Sequence, residues 1–168
     1  MTSRPTALLI PLVCGVVILG GCASAPTSRL DAFQQRAELI TQEIAASIPE
    51  ELVEATPVID SQGRVAQSSG DTPQTPAWWE VSASVDVVEA AGASESAATA
   101  VGDALVAAGW TAAGESGSDP LFQTDGYRRD GWSVTISWVR SEPGIVEDLG
   151  ILVVSPDTVR GDHDEIHS

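Results

Sequence analysis

The sequence contains no lysine, and its eight basic residues are all arginine. Against them stand 24 acidic residues, so the 168-residue chain carries a net charge of −16 at pH 7. A protein that binds nucleic acid needs a basic surface to meet the phosphates, and one that binds an anionic membrane surface needs a polybasic patch. The charge balance therefore argues against both kinds of partner.

Cysteine and histidine are scarce and lie near the two ends of the chain. Cys14 and Cys22 fall in the first 22 residues, and His163 and His167 fall in the last six. Between them there is no thiol for a disulfide or a nucleophile and no imidazole for a serine triad. The sequence also lacks a Gly-x-Ser-x-Gly elbow and a phosphate-binding glycine loop. We therefore predict a non-enzymatic domain without a cofactor, stabilised by its core alone.

One enzymatic alternative stays open, because carboxylates are plentiful. Acidic pairs such as Glu50–Glu51 and Glu147–Asp148 are adjacent in sequence, and spacing does not place them in or out of a cleft. Two carboxylates are the machinery of glycoside hydrolysis. The alternative function is thus a carboxylate-dependent hydrolase that acts on cell-wall glycan.

The first 24 residues have the order of a secretory signal. Arg4 gives a weakly positive start, and the apolar run Ala7–Leu19 follows, interrupted by one proline and one glycine. The run has 13 residues, whereas a helix that spans a membrane needs about 20. Small residues follow at once from position 20 to position 24, which completes the pattern of a signal peptide.

The motif Leu19-Gly20-Gly21-Cys22 resembles the lipobox of bacterial lipoprotein signal peptides. The resemblance implies cleavage before Cys22, a diacylglyceryl group on its thiol and removal of residues 1–21. Two or more acyl chains anchor a protein stably where one does not. The expected partner is therefore the membrane, and the expected location is the extracytoplasmic face of the cell membrane. The alternative is an uncleaved anchor or an ordinary signal peptide.

Beyond the signal we predict a tether at 22–28, one α+β domain at 29–156 and a flexible acidic tail at 157–168. Apolar residues at helical spacing indicate helices over 29–48 and 95–108. A segment rich in proline, glycine, serine and threonine indicates a loop or linker at 56–77, with short edge strands at 58–60 and 64–66 as the alternative. The arginine-only usage, the alanine and valine content and the helix-Gly-Trp junction before a hairpin resemble small lipoproteins of high-GC Gram-positive bacteria.

Strands are predicted where apolar and polar residues alternate. Clean alternation predicts a strand over residues 78–88, and shorter strands are predicted at 110–114 and 149–154. A hairpin around Asp130-Gly131 is predicted over residues 121–139. A regular hairpin register places Asp125 on the inner face, so we expect a bulge near Gly126. The predicted fold is a two-layer α+β sandwich, with a mostly antiparallel sheet of about four strands and both helices on one face.

Tryptophan is the most unusual feature of the predicted strands. Alternation places Trp79, Trp132 and Trp138 in the core and leaves Trp78 on the polar face, either for binding or for packing under a loop. The hydroxyl side chains of that polar face complete a candidate binding face. Its residues are Trp78, Ser82, Ser84, Ser133, Thr135 and Ser137.

Two charged clusters are weaker candidates. Arg128 and Arg129 flank the hairpin turn, where they can bind a carboxylate or phosphate or pair with nearby acids. His163 and His167 are four residues apart and are weak metal candidates within an acidic tail. We expect no metal there. The leading hypothesis is a lipid-anchored binding or structural module whose partner is an envelope protein or a glycan, and a dimer formed through the first helix is a further option.

Overall fold

The computed structural model describes residues 27–66, 72–115, 122–139, 147–163 and 166. In chain order the elements are α1 (Leu30–Ala45), a 3₁₀ turn (Glu50–Leu52), β1 (Val58–Val65), β2 (Pro76–Val87), α2 (Ala93–Ala107), β3 (Thr111–Glu115), β4 (Phe122–Arg129), β5 (Trp132–Val139), β6 (Glu147–Val154) and β7 (Thr158–Val159). The described strands are all antiparallel and form one sheet in the order β1-β2-β6-β5-β4-β3, with the short β7 paired with β2.

The prediction of a sheet of about four strands is wrong, because the described residues form seven. β1 lies inside the predicted loop at 56–77, and β7 lies inside the predicted tail at 157–168. β1 lacks the apolar alternation of a half-buried strand, and it forms because the 12-residue β2 offers it eight paired positions. β7 has two residues, which is too short for any periodicity to indicate it.

Helix α1 buries one apolar stripe on the sheet. The buried side chains recur at three- and four-residue steps, as expected for the core face of a helix. The Ser28 hydroxyl accepts a hydrogen bond from the N–H of Leu30 at 3.4 Å, and Pro49 follows the end of the helix. The apolar stripe and the residue that continues it are Leu30, Phe33, Ala37, Ile40, Ile44 and Ile48.

Helix α2 begins two residues before the predicted Glu95. Gly92 takes a left-handed conformation with φ 79° ahead of Ala93. Ser94 lies in the first turn, and its hydroxyl donates to the carbonyl of Val139 at 2.8 Å. That bond connects the start of the helix to the end of β5. Gly109 follows the helix with φ 85°, the left-handed conformation in which glycine commonly ends a helix.

The sheet has one inner face, which the helices cover, and one outer face directed away from them. Along β2, Val81, Ala83 and Val85 are buried, whereas Ser82 and Ser84 are exposed. The central strand β6 alternates in the same way, because its neighbours β2 and β5 both place apolar residues toward the helices. The inner face of β6 consists of Leu149, Ile151 and Val153, all almost fully buried.

The β4–β5 hairpin has a regular register throughout, so the expected bulge near Gly126 is absent from it. Asp125 pairs with Ile136 across the hairpin. The irregularity lies in the neighbouring edge strand β3, between Ala112 and Gly114. The hairpin turn has positive φ at both Asp130 (51°) and Gly131 (83°), as a type I′ turn requires.

The described part of the C-terminal segment packs against the domain. Arg160 and Ile166 are buried, and Ile166 forms a second apolar cluster with Leu30, Val65 and Ala77. A Cβ on Gly63 would lie 2.8 Å from the Ile166 side chain, so glycine is what allows this close approach. These contacts hold the C-terminal segment against β1 and the start of α1.

Candidate functional site

The six residues of the predicted binding face all lie on the outer face of the sheet. The register explains the grouping: Ser82 of β2 is opposite Leu152 of β6, and Leu152 is in turn opposite Thr135 of β5. One step along the strands, Ser84, Gly150 and Ser137 form the next row. Four hydroxyl side chains thus surround one leucine on the central strand.

Leu152 is the apolar centre of this surface. Leu152 is 37% exposed although β6 is one of the two central strands of the sheet. Gly150 lies beside it without a side chain, and a Cβ there would come within 2.5 Å of the Ser137 hydroxyl oxygen. Two further apolar side chains lie toward the flanks of the same face, with Phe122 49% and Val58 72% exposed. Singly exposed apolar side chains are common on protein surfaces, and what distinguishes Leu152 is its position among four hydroxyl side chains on an inner strand of the sheet.

Trp78 is half-buried and held in place by its neighbours on the outer face. Its indole N–H donates to one carboxylate oxygen of Glu80 at 2.8 Å, and the other oxygen accepts from Nε of Arg64 at 2.9 Å. Arg64 is directly opposite Trp78 across the β1–β2 pair. The contacts orient the indole before any partner arrives, which lowers the entropy that binding must overcome.

Sequence reasoning missed the Glu80 and Arg64 members of this cluster. Alternation alone places Glu80 on the face of Trp78, two residues away. Arg64 joins them through the β1–β2 register, and β1 lies in a segment that the sequence pattern assigns to a loop. Alternation along the sequence therefore places Glu80 on the face of Trp78, whereas it does not place Arg64 there.

The two hairpin arginines lie on opposite sides of the sheet. Arg128 belongs to the outer face and is flanked across the strands by Thr111 and Ser133. The guanidinium of Arg129 lies 4.7 Å from the centre of the Trp110 ring and donates to the carbonyl of Ala108 at 2.6 Å. A depression of about 610 Å³ at the turn is lined by both arginines and by Asp130. Because their side chains leave the sheet on opposite faces, the two guanidinium groups do not converge on one ligand.

The lipidation motif lies outside the described residues, as do both cysteines. Leu19, Gly20, Gly21 and Cys22 all precede Thr27, where the described part begins. Among the described helices, none is both long and apolar enough to cross a membrane. Lipid attachment at Cys22 therefore stays a prediction from the sequence.

The histidine candidates are not brought together among the described residues. His163 Nε2 lies 3.6 Å from a carboxylate oxygen of Asp31, at the start of α1, and His167 lies outside the described part. Within that part, no three side chains of histidine, cysteine, aspartate or glutamate are grouped as metal ligands. His163 contributes instead to the contact between the C-terminal segment and α1.

The hydrolase alternative requires two carboxylates on either side of a bound sugar. Four depressions are lined wholly by described residues, and each has at most one carboxylate in its wall. These carboxylates are Asp130 at the hairpin, Asp162 near the tether and Glu43 between the helices. No observation in the described residues favours this alternative over binding.

No family model, no curated protein and no solved structure matches the chain.

Proposed function

We propose that the protein is a lipid-anchored component of a bacterial cell envelope, attached through Cys22, and that its outer sheet face binds another envelope component. The observation that carries the binding proposal is the arrangement around Leu152. An exposed leucine on the central strand is surrounded by hydroxyls and accompanied by a tryptophan that Glu80 already orients. The partner is an envelope protein or glycan.

The chemistry of the outer face suits a flat contact. Leu152 and Trp78 supply apolar and aromatic area, and Ser and Thr hydroxyls both donate and accept hydrogen bonds. Serine and threonine side chains are short, so fixing them on binding costs little conformational entropy. The net charge of −16 gives the chain no overall electrostatic attraction to anionic lipid headgroups.

Photo-crosslinking in intact cells tests the binding proposal. One photoreactive residue is placed at position 152 and, as a matched control, another at position 106, where Val106 is 57% exposed on helix α2. The proposal expects a defined adduct from position 152, none from position 106, and loss of the adduct when Cys22 is replaced. Equal adducts from both positions, or none from position 152, would contradict it.

The anchor has its own test, with a control that the sequence supplies. Metabolic labelling with an alkyne fatty acid is expected to tag the wild-type chain and to fail for Cys22→Ala, because no thiol remains to carry lipid. Cys14→Ala is expected to keep the label, since Cys14 lies in the segment that is removed. Label that persists in Cys22→Ala would contradict attachment at this residue.

Trp78→Ala is expected to weaken partner capture while the melting temperature falls by less than about 5 °C. The indole lies on the outer face, and its hydrogen-bond partner Glu80 keeps its own bond to Arg64 when the ring is removed. Capture of the adduct at position 152 and a thermal melt measure the two effects. A collapse of the melting temperature would instead make Trp78 a structural residue.

A further inference from the structure

The two edges of the sheet differ in how they are protected. Edge strands are templates for pairing with another chain, and proteins blunt them with short length, bulges, proline or charge. β3 has five residues, a register irregularity and Gly114 at φ 100°. β1 has eight residues in unbroken register and no proline, and its two charged residues, Asp60 and Arg64, have opposite signs. Within the described part of the chain, the β3 edge is therefore blunted and the β1 edge is open to pairing.

The hydrogen bonds show which backbone groups of β1 face the open side. The N–H of Ala66 donates to the carbonyl of Pro76 at 2.9 Å, so the even-numbered residues of β1 pair with β2. In an antiparallel ladder the alternate residues point the other way. The N–H and carbonyl groups of Ile59, Ser61, Gly63 and Val65 are therefore directed away from β2.

The side chains along β1 can pair favourably with those of a second, antiparallel copy of β1. Val58 and Ile59 are exposed, at 72% and 44%, and Asp60 and Arg64 lie on the outer face four residues apart. An antiparallel copy in which residue 60 is opposite residue 64 places a carboxylate against a guanidinium twice. The same register places Ile59 opposite Val65 on the inner face and Gln62 opposite Gln62 at the centre.

We propose that β1 pairs antiparallel with β1 of a second copy in this register and forms a dimer with a continuous sheet. The neighbouring registers that satisfy the free backbone groups are less favourable because Asp60 loses Arg64 as its partner: Asp60 is then opposite Gln62 in one direction or Ala66 in the other, and a further shift in the first direction places it opposite itself. Like charges directly opposite each other destabilise a sheet. Nε of Arg64 already donates to Glu80, and the other guanidinium N–H groups remain to bind Asp60 of the second copy.

The symmetry of this dimer is compatible with attachment of both copies to one bilayer. The two-fold axis is perpendicular to the sheet, so both helix layers lie on one side and both outer faces lie on the other. The inference does not depend on what the outer face binds. Each copy carries a charge of −16, and this repulsion is screened beyond about 8 Å at 0.15 M salt.

Cysteine crosslinking tests the register directly. In the full chain with Cys14→Ala and Cys22→Ala, the variant Gln62→Cys brings two thiols together across the axis, at a non-hydrogen-bonded pair with Cα atoms about 4.5 Å apart. Ser82→Cys is the matched control on the next strand and the same face. We expect at least about tenfold more disulfide-linked dimer from Gln62→Cys under mild oxidation at 0.15 M salt, because the control thiols lie beyond disulfide reach.

A second pair of variants tests whether the dimer depends on the backbone groups of the β1 edge. Ile59→Pro removes one N–H of the open edge, whereas Ile59→Thr keeps that N–H and the strand preference. Light scattering is expected to show a dimer for the wild type and Ile59→Thr and a monomer for Ile59→Pro, with circular dichroism confirming that each is folded. A wild-type monomer, or Gln62→Cys that crosslinks no better than Ser82→Cys, would overturn the proposal.

Discussion

Replacing Ile151 with alanine is expected to lower the free energy of unfolding by about 2–5 kcal/mol. Ile151 is 2% exposed on the central strand, where it lies in the core cluster with residues from both helices and both neighbouring strands. Truncation leaves a cavity that the flanking strands, fixed by their own pairing, close only in part. Urea denaturation measures the loss, and it shows as a lower midpoint with an unchanged slope.

Leu152 is the control for this experiment, because it is the next residue along the same strand and points to the opposite face. Its side chain is 37% exposed, so Leu152→Ala is expected to cost less than about 1 kcal/mol. The same substitution is expected to weaken partner capture. If both alanines cost the same, Leu152 is as buried as Ile151 in the native protein, and the outer face is then a packing surface.

The helices were predictable because their apolar stripes meet the core directly. The apolar stripe of α1 is buried in the structure together with Thr41, since a helix on one side of a sheet presents one face to it. The outer-face grouping was predictable for a similar reason. Clean alternation in β2 and β5 assigns each side chain to a face before any partner strand is known.

The edges of the sheet were not predictable in the same way. β1 is polar and contains Gly63, and its strand conformation depends on pairing with β2, which begins only at Pro76. The contact of Arg64 with Glu80 depends on that register and is invisible to alternation. Alternation within a strand indicates which of its faces is buried. It does not indicate whether a polar edge strand forms, because that depends on the length of the neighbouring strand.

The packing of α2 depends on a second feature that periodicity does not reveal. Gly102 is buried in the middle of α2, and a Cβ there would lie 2.5 Å from the hydroxyl oxygen of Tyr127 and 3.5 Å from the ring carbon that carries it. Burial raises the pKa of Tyr127, and the negative charges of Asp125 and Asp103 raise it further. The neutral phenol therefore occupies the space that a side chain at position 102 would need.

Gly102→Ala is expected to destabilise the protein although alanine favours helix by about 1 kcal/mol. Overlap with the buried phenol costs about 1–3 kcal/mol, and this opposes the gain in helix propensity.

In a Tyr127→Phe background the hydroxyl is gone and the nearest ring carbon is at ordinary contact distance, so the same substitution is expected to stabilise. The double-mutant cycle is measured by urea denaturation at pH 7, well below the ordinary tyrosine pKa of 10.0, where the phenol is neutral in the folded and the unfolded chain. The sign of the Gly102→Ala effect therefore reports steric contact between α2 and β4, and a stabilising effect in both backgrounds would show that the helix does not lie this close to Tyr127.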